Sequence, residues 1–357
     1  MDLKTNKNME SEMDNTMTTA PNPSKIMQIG MGFWASKTLL TAVNMQLFTH
    51  LAKGEMTGQE IRDQLGLHDR ALYDFLDTLV ALGFLERSGI KEEAVYQNSA
   101  DADLFLDQNK LTYIGGILEM SNNRLYKFWN DLEEGLKTGL PQNETKHGDK
   151  PLFEAIYSNE ERLREFLHAM GGVQAGNFDH FARNFDFSGF KTHCDVGGAG
   201  GNLCVHIAKN NPHMESTCYD LPQVAPIANE NFEALGFSDR IRAVAGDFFK
   251  EDLPKADLIT MCNVLHDWGT EDKKMLIQKA HDSLPEGGAL VVIENIIDDG
   301  RSQNAFGLMM SLNMLIETDE GFDFSLADFS NWANQVGFSQ LNLMPLTGPA
   351  SAIVAYK

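Results

Sequence analysis

The sequence predicts an α/β fold in which a mainly α-helical region is followed by a doubly wound parallel sheet. After Phe190, short apolar runs alternate with helix-like stretches, as where "ADLITMCNV" is followed by "KKMLIQKAHDSL". Such alternation is typical of βαβ units, whose helices cover both faces of a parallel sheet. Before Phe190 the apolar residues recur mostly at helical spacing. The length of 357 residues allows two domains, and we place the sheet domain at residues 186–357.

The first residues predict no folded structure. Residues 1–24 contain Asn, Thr, Ser, Pro and Lys but few large apolar groups, and Pro21 and Pro23 mark the end of this segment. We therefore predict a disordered tail over residues 1–24. The tail lacks the apolar core of a signal peptide, and no run of eighteen apolar residues predicts a transmembrane helix.

Residues 25–105 predict a winged-helix domain. Thr57 and Glu60 have the spacing of a capping box at the start of a short helix that ends at Gly66. A second amphipathic helix closes at Gly83 and is followed by a short hairpin. Helix, turn, helix and hairpin in this order are the winged-helix pattern.

The charge of the chain argues against DNA binding, which is a frequent use of winged helices. The chain has 51 acidic and 29 basic residues, a net charge of −22. Between Gln59 and Phe75, where a DNA-contacting helix would lie, two arginines stand against four acidic residues. Such a field repels phosphate backbones and anionic lipid. We expect a dimerisation or packing role, with neither nucleic acid nor membrane as a partner.

The cysteines indicate the compartment. Four cysteines form no CxxC pair and no disulfide-like pattern: Cys194, Cys204, Cys218 and Cys262. This predicts a cytoplasmic protein with reduced thiols and no zinc site. No cluster of carboxylates with metal spacing is visible in the sequence either, so we expect no magnesium site.

Residues 106–185 predict linking helices that contribute to a substrate pocket. The stretches "NRLYKFWNDLEEGLKTG" and "ERLREFLHAMGGV" are amphipathic and rich in aromatic residues and methionine. Packing in a hydrophobic core accounts for most of these side chains, and the others are candidates for lining an apolar pocket.

A glycine cluster follows the first strand of the predicted sheet. In "CDVGGAGGN", a strand end runs into glycines and then a helix, so backbone N–H groups can approach a ligand closely. The dinucleotide fingerprint GxGxxG fails, because Leu203 stands where its third glycine is needed. A dehydrogenase is therefore disfavoured. The motif still contains an acidic residue, Asp195, which stands two residues before the glycine cluster.

Acidic residues also stand at the ends of the next two strands. Asp220, in "DLP" with Leu221, lies about 20 residues beyond the glycines, where a carboxylate meets ribose hydroxyls in such sheets. Asp247 ends the third strand and Phe248 follows it, a pair suited to the amino group and ring face of adenine. A single adenosine without a pyrophosphate is implied, and S-adenosylmethionine (SAM) fits. Asp195 would orient the ammonium of SAM, and amides of the glycine cluster would border its amino-acid and ribose part: Gly197, Gly198 and Gly200.

At this point the sequence resembles the bacterial and plant SAM-dependent O-methyltransferases of the caffeate and acetylserotonin (hydroxyindole) type, over about residues 26–357. The resemblance rests on five motifs in order: "DVGGAGG" (195–201), "DLP" (220–222), "GDFF" (246–249), "LHDW" (265–268) and "EN" (294–295). It implies a Rossmann-like class I methyltransferase sheet whose last strand, "SAIVAYK", is antiparallel. It also implies a homodimer whose winged-helix domains help to close the partner's pocket, and methyl transfer to a small molecule without a metal.

By this resemblance, His266 is the general base that takes the proton from an acceptor hydroxyl. A neutral imidazole can accept that proton, and a neighbouring carboxylate can orient the ring. Glu294 is the matching orienter, and Asp323 stands where the family has the glutamate of a "Glu-Arg-Thr" stretch. Trp268 is expected near the adenine. The residues that match the acceptor pocket of the family are Phe166, Met170 and Met314. Core packing is the alternative for each of these three.

Two departures from the family change the expected acceptor site. Cys262 stands where a basic residue often follows the fourth strand, and "GFDFS" replaces "Glu-Arg-Thr". The added Phe322 and Phe324 predict a more aromatic, less polar substrate mouth. One alternative is therefore an S-methyltransferase acting on a thioether such as 4-methylthio-2-hydroxybutyrate in dimethylsulfoniopropionate synthesis, with aromatic rings stabilising the sulfonium product. A non-catalytic ligand-binding regulator is a more remote alternative.

Overall fold

The computed structural model describes residues 21–110, 112–146, 157 and 159–357. Most of the predicted tail, residues 1–20, lies outside the described residues. The first helix already begins at Ser24, so the prediction that residue 24 belongs to the tail is wrong. Pro23 precedes this helix with helix-compatible dihedral angles, φ −83° and ψ 0°. Proline suits a helix start because its missing N–H is not needed there.

The amino-terminal part has the winged-helix arrangement that the sequence predicts. Three short antiparallel strands, in the order β1-β3-β2, lie beside a group of helices. The strands are β1 (Met56–Thr57), β2 (Leu85–Ser88) and β3 (Val95–Asn98). The helices are Ser24–Gly30, Gly32–Asn44, Leu47–Leu51, Gly58–Leu65, Asp69–Ala81 and Ala100–Phe105, with a 3-10 turn at Lys91–Glu93.

The predicted capping box starts the Gly58–Leu65 helix. The Thr57 hydroxyl accepts a hydrogen bond from the N–H of Glu60 at 3.3 Å, and the Glu60 carboxylate accepts one from the N–H of Thr57 at 2.7 Å. Gly66 ends the helix in the left-handed conformation, φ 67°. The next helix buries Leu72, Leu76 and Leu79 in the core of this part.

Mainly helical segments connect the two parts, as predicted. They are Gly115–Met120, a π-helical turn at Ser121–Leu125, Tyr126–Phe128, a 3-10 turn at Trp129–Asp131, Leu132–Thr138 and the 25-residue helix Glu160–Asn184. The boundaries that we place at residues 105 and 185 stay predictions.

The carboxyl-terminal part contains the predicted doubly wound sheet. Its order is β6-β5-β4-β7-β8-β10-β9, and β10 is antiparallel to both of its neighbours, whereas β4 to β8 pair in parallel. The strands are β4 (Thr192–Val196), β5 (Glu215–Asp220), β6 (Ile241–Ala245), β7 (Leu258–Cys262), β8 (Ala289–Glu294), β9 (Gln340–Pro345) and β10 (Ser351–Tyr356). The helices are Asn202–Asn210, Ala225–Leu235, Thr270–Ser283, Ala305–Glu317 and Leu326–Val336, with a 3-10 turn at Leu265–Asp267.

Strand β9 has no clear pattern in the sequence. This strand lies at the edge of the sheet, and most of its residues are exposed or half-buried, so it lacks the apolar run that marks the inner strands. The inner strands β7 and β8 are almost completely buried. Strand order reverses between β4 and β7, and ligands of doubly wound sheets bind at the carboxyl ends of strands beside such a reversal. Within the described part of the chain, no helix is both long and apolar enough to cross a membrane.

Candidate active site

Glycines shape the loop between β4 and the Asn202–Asn210 helix. Gly197 and Gly201 have φ values of 68° and 76°, which side-chain-bearing residues rarely adopt. A Cβ at Gly197 would lie 2.7 Å from Cγ2 of Val264, and one at Gly201 would lie 2.2 Å from the ring of Phe232. The loop therefore needs glycine at both positions, and its backbone is held in place by hydrogen bonds from the N–H groups of Gly197 and Gly201 to the carbonyls of Tyr219 and Gly198 at 2.8 Å each.

Asp220 ties this loop to the end of β5. Its Oδ2 accepts a hydrogen bond from the N–H of Ala199 at 2.8 Å, and its Oδ1 accepts one from the N–H of Leu221 at 2.7 Å. Burial raises the pKa of Asp220 to about 6, although these two amides favour the charged form. The carboxylate thus holds the ends of β4 and β5 together at the ligand edge of the sheet.

A cavity of about 450 Å³ opens at this edge. All nine residues that the sequence assigns to the cofactor line it: Asp195, Gly197, Gly198, Gly200, Asp220, Leu221, Asp247, Phe248 and Trp268. Phe166 and Met170, assigned to the acceptor, line the same cavity. The Trp268 ring meets Phe248 and Phe249 edge-on, with centroids 5.8 and 4.6 Å away. The cavity therefore has an acidic floor and an aromatic wall.

The two outer carboxylates of the cavity differ in charge state. Burial raises the pKa of Asp195 to about 7, while the hydrogen bond that its Oδ1 accepts from the Thr260 hydroxyl opposes this rise. The pKa of Asp247 is lowered, mainly by its hydrogen bond with Lys250, whose Nζ lies 2.8 Å from Oδ2. Asp247 is therefore charged at neutral pH, whereas the charge of Asp195 depends on the groups around it.

His266 lies at the centre of a buried acidic cluster directly after β7. Its Nδ1 lies 3.6 Å from both Glu294 Oε2 and Asp323 Oδ1. Its Nε2 lies 3.6 Å from Asp267 Oδ1, and Asp267 itself lines the cavity. His266 does not line the cavity formed by the described residues; it is 6% exposed and lies next to that wall. The structure thus brings together the three residues that the sequence assigns to catalysis.

The Glu294 carboxylate is fixed by the backbone that carries His266. Its Oε1 accepts hydrogen bonds from three consecutive N–H groups, those of Val264, Leu265 and His266, at 3.2, 3.1 and 3.3 Å. The other oxygen, Oε2, and Nδ1 of His266 are both buried, and neither has a hydrogen-bond partner among the described residues. Glu294 therefore holds the 3-10 turn with one oxygen and faces the imidazole with the other.

The cluster stabilises a positively charged imidazole. Burial alone would lower the pKa of His266, but the charges of Glu294, Asp267 and Asp323 outweigh it and raise the pKa well above the ordinary value. Burial has the opposite effect on the two carboxylates: it raises the pKa of Glu294 and of Asp267, because it disfavours their charged forms. The charge states of His266, Glu294 and Asp267 therefore depend on one another.

The same cluster corrects the expectation that no carboxylates have metal spacing. One ligand atom from each of His266, Glu294 and Asp323 lies within 4.8 Å of the others. The sequence does not show this grouping, because the three residues follow different elements and only the fold brings them together. Pairing between the imidazole Nδ1 and the two carboxylates accounts for the arrangement. That the protein works without a metal stays a prediction.

The two added phenylalanines lie beside a buried lysine. Phe324 is 1% exposed within the core, and the Phe322 ring centroid lies 3.5 Å from Nζ of Lys273. The burial of Phe324 contradicts its expected place at the substrate mouth, whereas that of half-buried Phe322 stays a prediction. Lys273 is fully buried and donates a hydrogen bond to the carbonyl of Trp268. The two rings therefore cover a buried cation behind the site.

Met314 is buried on the Ala305–Glu317 helix and is outside the cavity lining given by the described residues. Its acceptor role stays a prediction. Sequence reasoning missed Asn263, whose φ is 52° and whose Oδ1 accepts a hydrogen bond from Gln174 Nε2 at 2.6 Å; both line the cavity. An asparagine directly after an apolar strand is a usable signal, because it tolerates left-handed backbone. Lys273 offers no such signal, since lysines on amphipathic helices are normally exposed.

Comparisons with known proteins agree with this geometry. A family model described as an O-methyltransferase domain matches residues 129–339, and one described as an O-methyltransferase dimerisation domain matches residues 27–108. The chain is 37% identical over 340 residues to the tetracenomycin polyketide synthesis 8-O-methyltransferase TcmO of Streptomyces glaucescens, covering 95% of this chain and 98% of TcmO. It is 30% identical to the N,N-dimethyltransferase OxyT of Streptomyces rimosus, covering 90% and 94% of the two chains.

Among solved structures, human N-acetylserotonin methyltransferase in complex with SAM is similar with a TM-score of 0.87 and 26% identity, covering 95% of this chain and 99% of that one. The residues present fit SAM: the glycine loop borders the cavity, carboxylates stand at three strand ends, and the rings of Phe248 and Trp268 form an aromatic wall. The chain therefore belongs to the O-methyltransferase family and is a SAM-dependent methyltransferase with an amino-terminal dimerisation domain.

Proposed function

We propose that this enzyme methylates a hydroxyl of a small aromatic molecule, with His266 as the general base and Glu294 and Asp323 as its orienting carboxylates. The observation that carries the proposal is the placement of His266 Nδ1 at 3.6 Å from both carboxylates, beside the cavity wall formed by Val264 and Asp267. Nδ1 faces Glu294 and Asp323, whereas Nε2 lies 3.6 Å from Oδ1 of Asp267, which lines the cavity. Nε2 is therefore the nitrogen proposed to receive the proton.

The cofactor residues are proposed from the lining of the cavity. Asp195 would meet the ammonium of SAM, Asp220 its ribose, and Asp247 with Phe248 its adenine, while Trp268 borders the adenine. SAM supplies an electrophilic methyl group on its sulfonium. The glycine loop and Leu221 would exclude water and hold the cofactor in one orientation.

The proton transfer places two opposing demands on His266. Only a neutral imidazole accepts a proton, and the raised pKa makes the neutral fraction small at neutral pH. The same raised pKa makes each neutral ring a stronger base towards a phenol, whose own pKa is near 10. Positioned general bases contribute about 10²–10⁴-fold to such reactions.

A second cavity of about 740 Å³ is the proposed acceptor side. It shares Phe166 with the cofactor cavity, and Met120, Phe128 and His168 line it as well. An aromatic acceptor would enter between the Gly115–Met120 and Glu160–Asn184 helices. Phe166 and Met170 would contact its ring near the methyl group.

The thioether alternative is less well supported, because Phe324, one of the two added aromatic residues, is buried in the core. A regulator without catalysis does not account for the assembled His266 cluster. The homodimer follows from the matched dimerisation domain and stays a proposal, as does a cytoplasmic location.

The test is transfer of label from methyl-labelled SAM to an acceptor panel of phenols, hydroxyquinones, hydroxyindoles and thioethers. His266→Ala is expected to lower kcat about 10²–10⁴-fold towards the hydroxyl acceptor, with the affinity for S-adenosylhomocysteine unchanged. His180→Ala, on the Glu160–Asn184 helix outside both cavities, is the control. Transfer to thioethers alone, or full activity of His266→Ala, contradicts the proposal.

A further inference from the structure

A chain of buried polar side chains crosses the sheet beneath the cofactor cavity. His193 and Asp195 alternate on β4 and therefore share one face of the sheet. Ser216 on β5 is the register partner of His193, and Thr260 on β7 is that of Asp195. All four are buried, with exposed fractions of 4% or less. Inner strands of such sheets are normally apolar, so this polar row needs a physical account.

Each hydrogen bond of this row is donated towards Asp195. The Thr260 hydroxyl donates to Asp195 Oδ1 at 2.5 Å. Its single proton is then used, so Thr260 Oγ1 accepts from His193 Nε2 at 2.8 Å. His193 Nδ1 is left as an acceptor for the Ser216 hydroxyl at 3.1 Å. Burial lowers the pKa of His193 to about 3, which keeps the ring neutral, as this pattern requires.

The row ends on the carboxylate that faces the cavity. Oδ1 of Asp195 is held by Thr260, and among the described residues nothing donates a hydrogen bond to Oδ2. Oδ2 lies under the glycine loop, 2.9 Å from where a Cβ of Gly198 would stand. Its direction is thus set by Thr260 from below, and its free side points to the cavity that Asp195 lines.

We propose that Thr260, itself oriented by His193 and Ser216, is a positioning residue that holds Asp195 charged and aimed at the ammonium group of the cofactor. A hydroxyl that donates to a carboxylate favours its ionised form, whereas burial and the nearby charge of Asp220 favour the neutral form. The other titratable groups packed around Asp195 are thiols, which are neutral because burial holds their pKa high: Cys194, Cys204, Cys218 and Cys262. Thr260 is therefore the side chain in this environment that favours the ionised form of Asp195.

The inference rests on the proposed role of Asp195, so its test uses binding rather than turnover. Binding of S-adenosylhomocysteine, which carries the same ammonium, is measured by calorimetry from pH 6 to pH 9. Thr260→Val keeps the shape and removes the hydroxyl. We expect about tenfold weaker binding at pH 7, because hydrogen bonds to charged groups are the strong ones. Binding should recover towards the native value at pH 9, since the variant raises the pKa of Asp195 further.

Three controls separate the causes. Thr260→Ser restores the hydroxyl and should restore native affinity. Thr217→Val removes a hydroxyl from the opposite face of β5 and should leave the affinity and its pH dependence unchanged. Asp195→Asn tests the premise: native affinity in this variant would refute the role of Asp195 itself. Weak binding by Asp195→Asn together with native binding and a native pH profile for Thr260→Val would overturn the positioning role alone.

Discussion

At the scale of single residues, the proposed role of His266 as the base predicts how activity depends on pH. Three carboxylates raise the pKa of His266, so the proposed base is mostly protonated at neutral pH. We expect kcat/KM to rise with pH along a limb that lies above pH 7, higher than for an unperturbed histidine. A limb near pH 6.5 in the native enzyme would show that the carboxylates do not act on the ring.

Removal of one carboxylate should move this limb in a known direction. Asp323→Asn takes away a negative charge 3.6 Å from Nδ1, which stabilises the imidazolium less and lowers its pKa. The limb of kcat/KM should move about one pH unit towards lower pH. Asp319→Asn, an exposed residue in the same loop region, is the matched control. An unmoved limb for Asp323→Asn would refute the electrostatic coupling.

Lys273 should act on the same limb with the opposite sign. Its ammonium is fully buried near Glu294, Asp323 and Asp267, which together raise its pKa against the larger effect of burial. Lys273→Met leaves the carboxylates with less positive charge, so the pKa of His266 should rise and the limb should move to higher pH.

Two variants distinguish this charge effect from loss of packing. Lys273→Arg retains the charge over the Phe322 ring and should keep the native limb. Lys274→Met, at the half-buried neighbour paired with Glu271, should change neither the limb nor stability appreciably. A lower melting temperature of Lys273→Met with an unchanged limb would mean that Lys273 is structural only.

At the scale of an element, Gly201 in the glycine loop can be compared with Gly236, which ends the Ala225–Leu235 helix. Gly201 and Gly236 have φ values of 76° and 75°, but only at Gly201 does a Cβ meet another group, the Phe232 ring at 2.2 Å. Gly236→Ala should cost about 1–2 kcal/mol in the free energy of unfolding, from the left-handed conformation alone. Gly201→Ala should cost more and should also weaken S-adenosylhomocysteine binding, since the loop must shift. Urea unfolding and calorimetry measure both, and equal effects of the two variants would show that the contact with Phe232 does not matter.

At the scale of the whole molecule, the first two helices expose a group of large apolar side chains. Ile29 is 70% exposed and Trp34 61%, with Ile26, Met27 and Phe33 beside them in the chain. Large exposed apolar patches mark association surfaces, and this segment lies within the matched dimerisation domain. The double variant Ile29→Glu, Trp34→Glu should convert a dimer to a monomer in analytical ultracentrifugation. Leu235→Glu, an exposed apolar residue of the sheet domain, should remain dimeric; a native monomer would refute the homodimer.

Much of this structure could be predicted from the sequence, because it depends on interactions between residues that are close in the chain. The capping box at Thr57, the apolar runs of the inner strands and the glycines after β4 depend on neighbours in the chain, so their patterns are visible before folding. The positions of Asp195, Asp220 and Asp247 at strand ends follow from the same alternation, because parallel strands bring their carboxyl ends to one edge. The grouping of these residues around one cavity was therefore predictable, while their contacts with SAM stay a proposal.

The tertiary structure decided what depends on contacts between distant segments. The carboxylates around His266, the burial of Lys273 under Phe322, and the hydrogen-bonded row that ends on Asp195 join residues from different strands, loops and helices. No periodic pattern distinguishes a buried lysine or an inward-facing threonine from an exposed one. Packing determines their surroundings, and burial in turn sets the charge states on which the proposed chemistry depends.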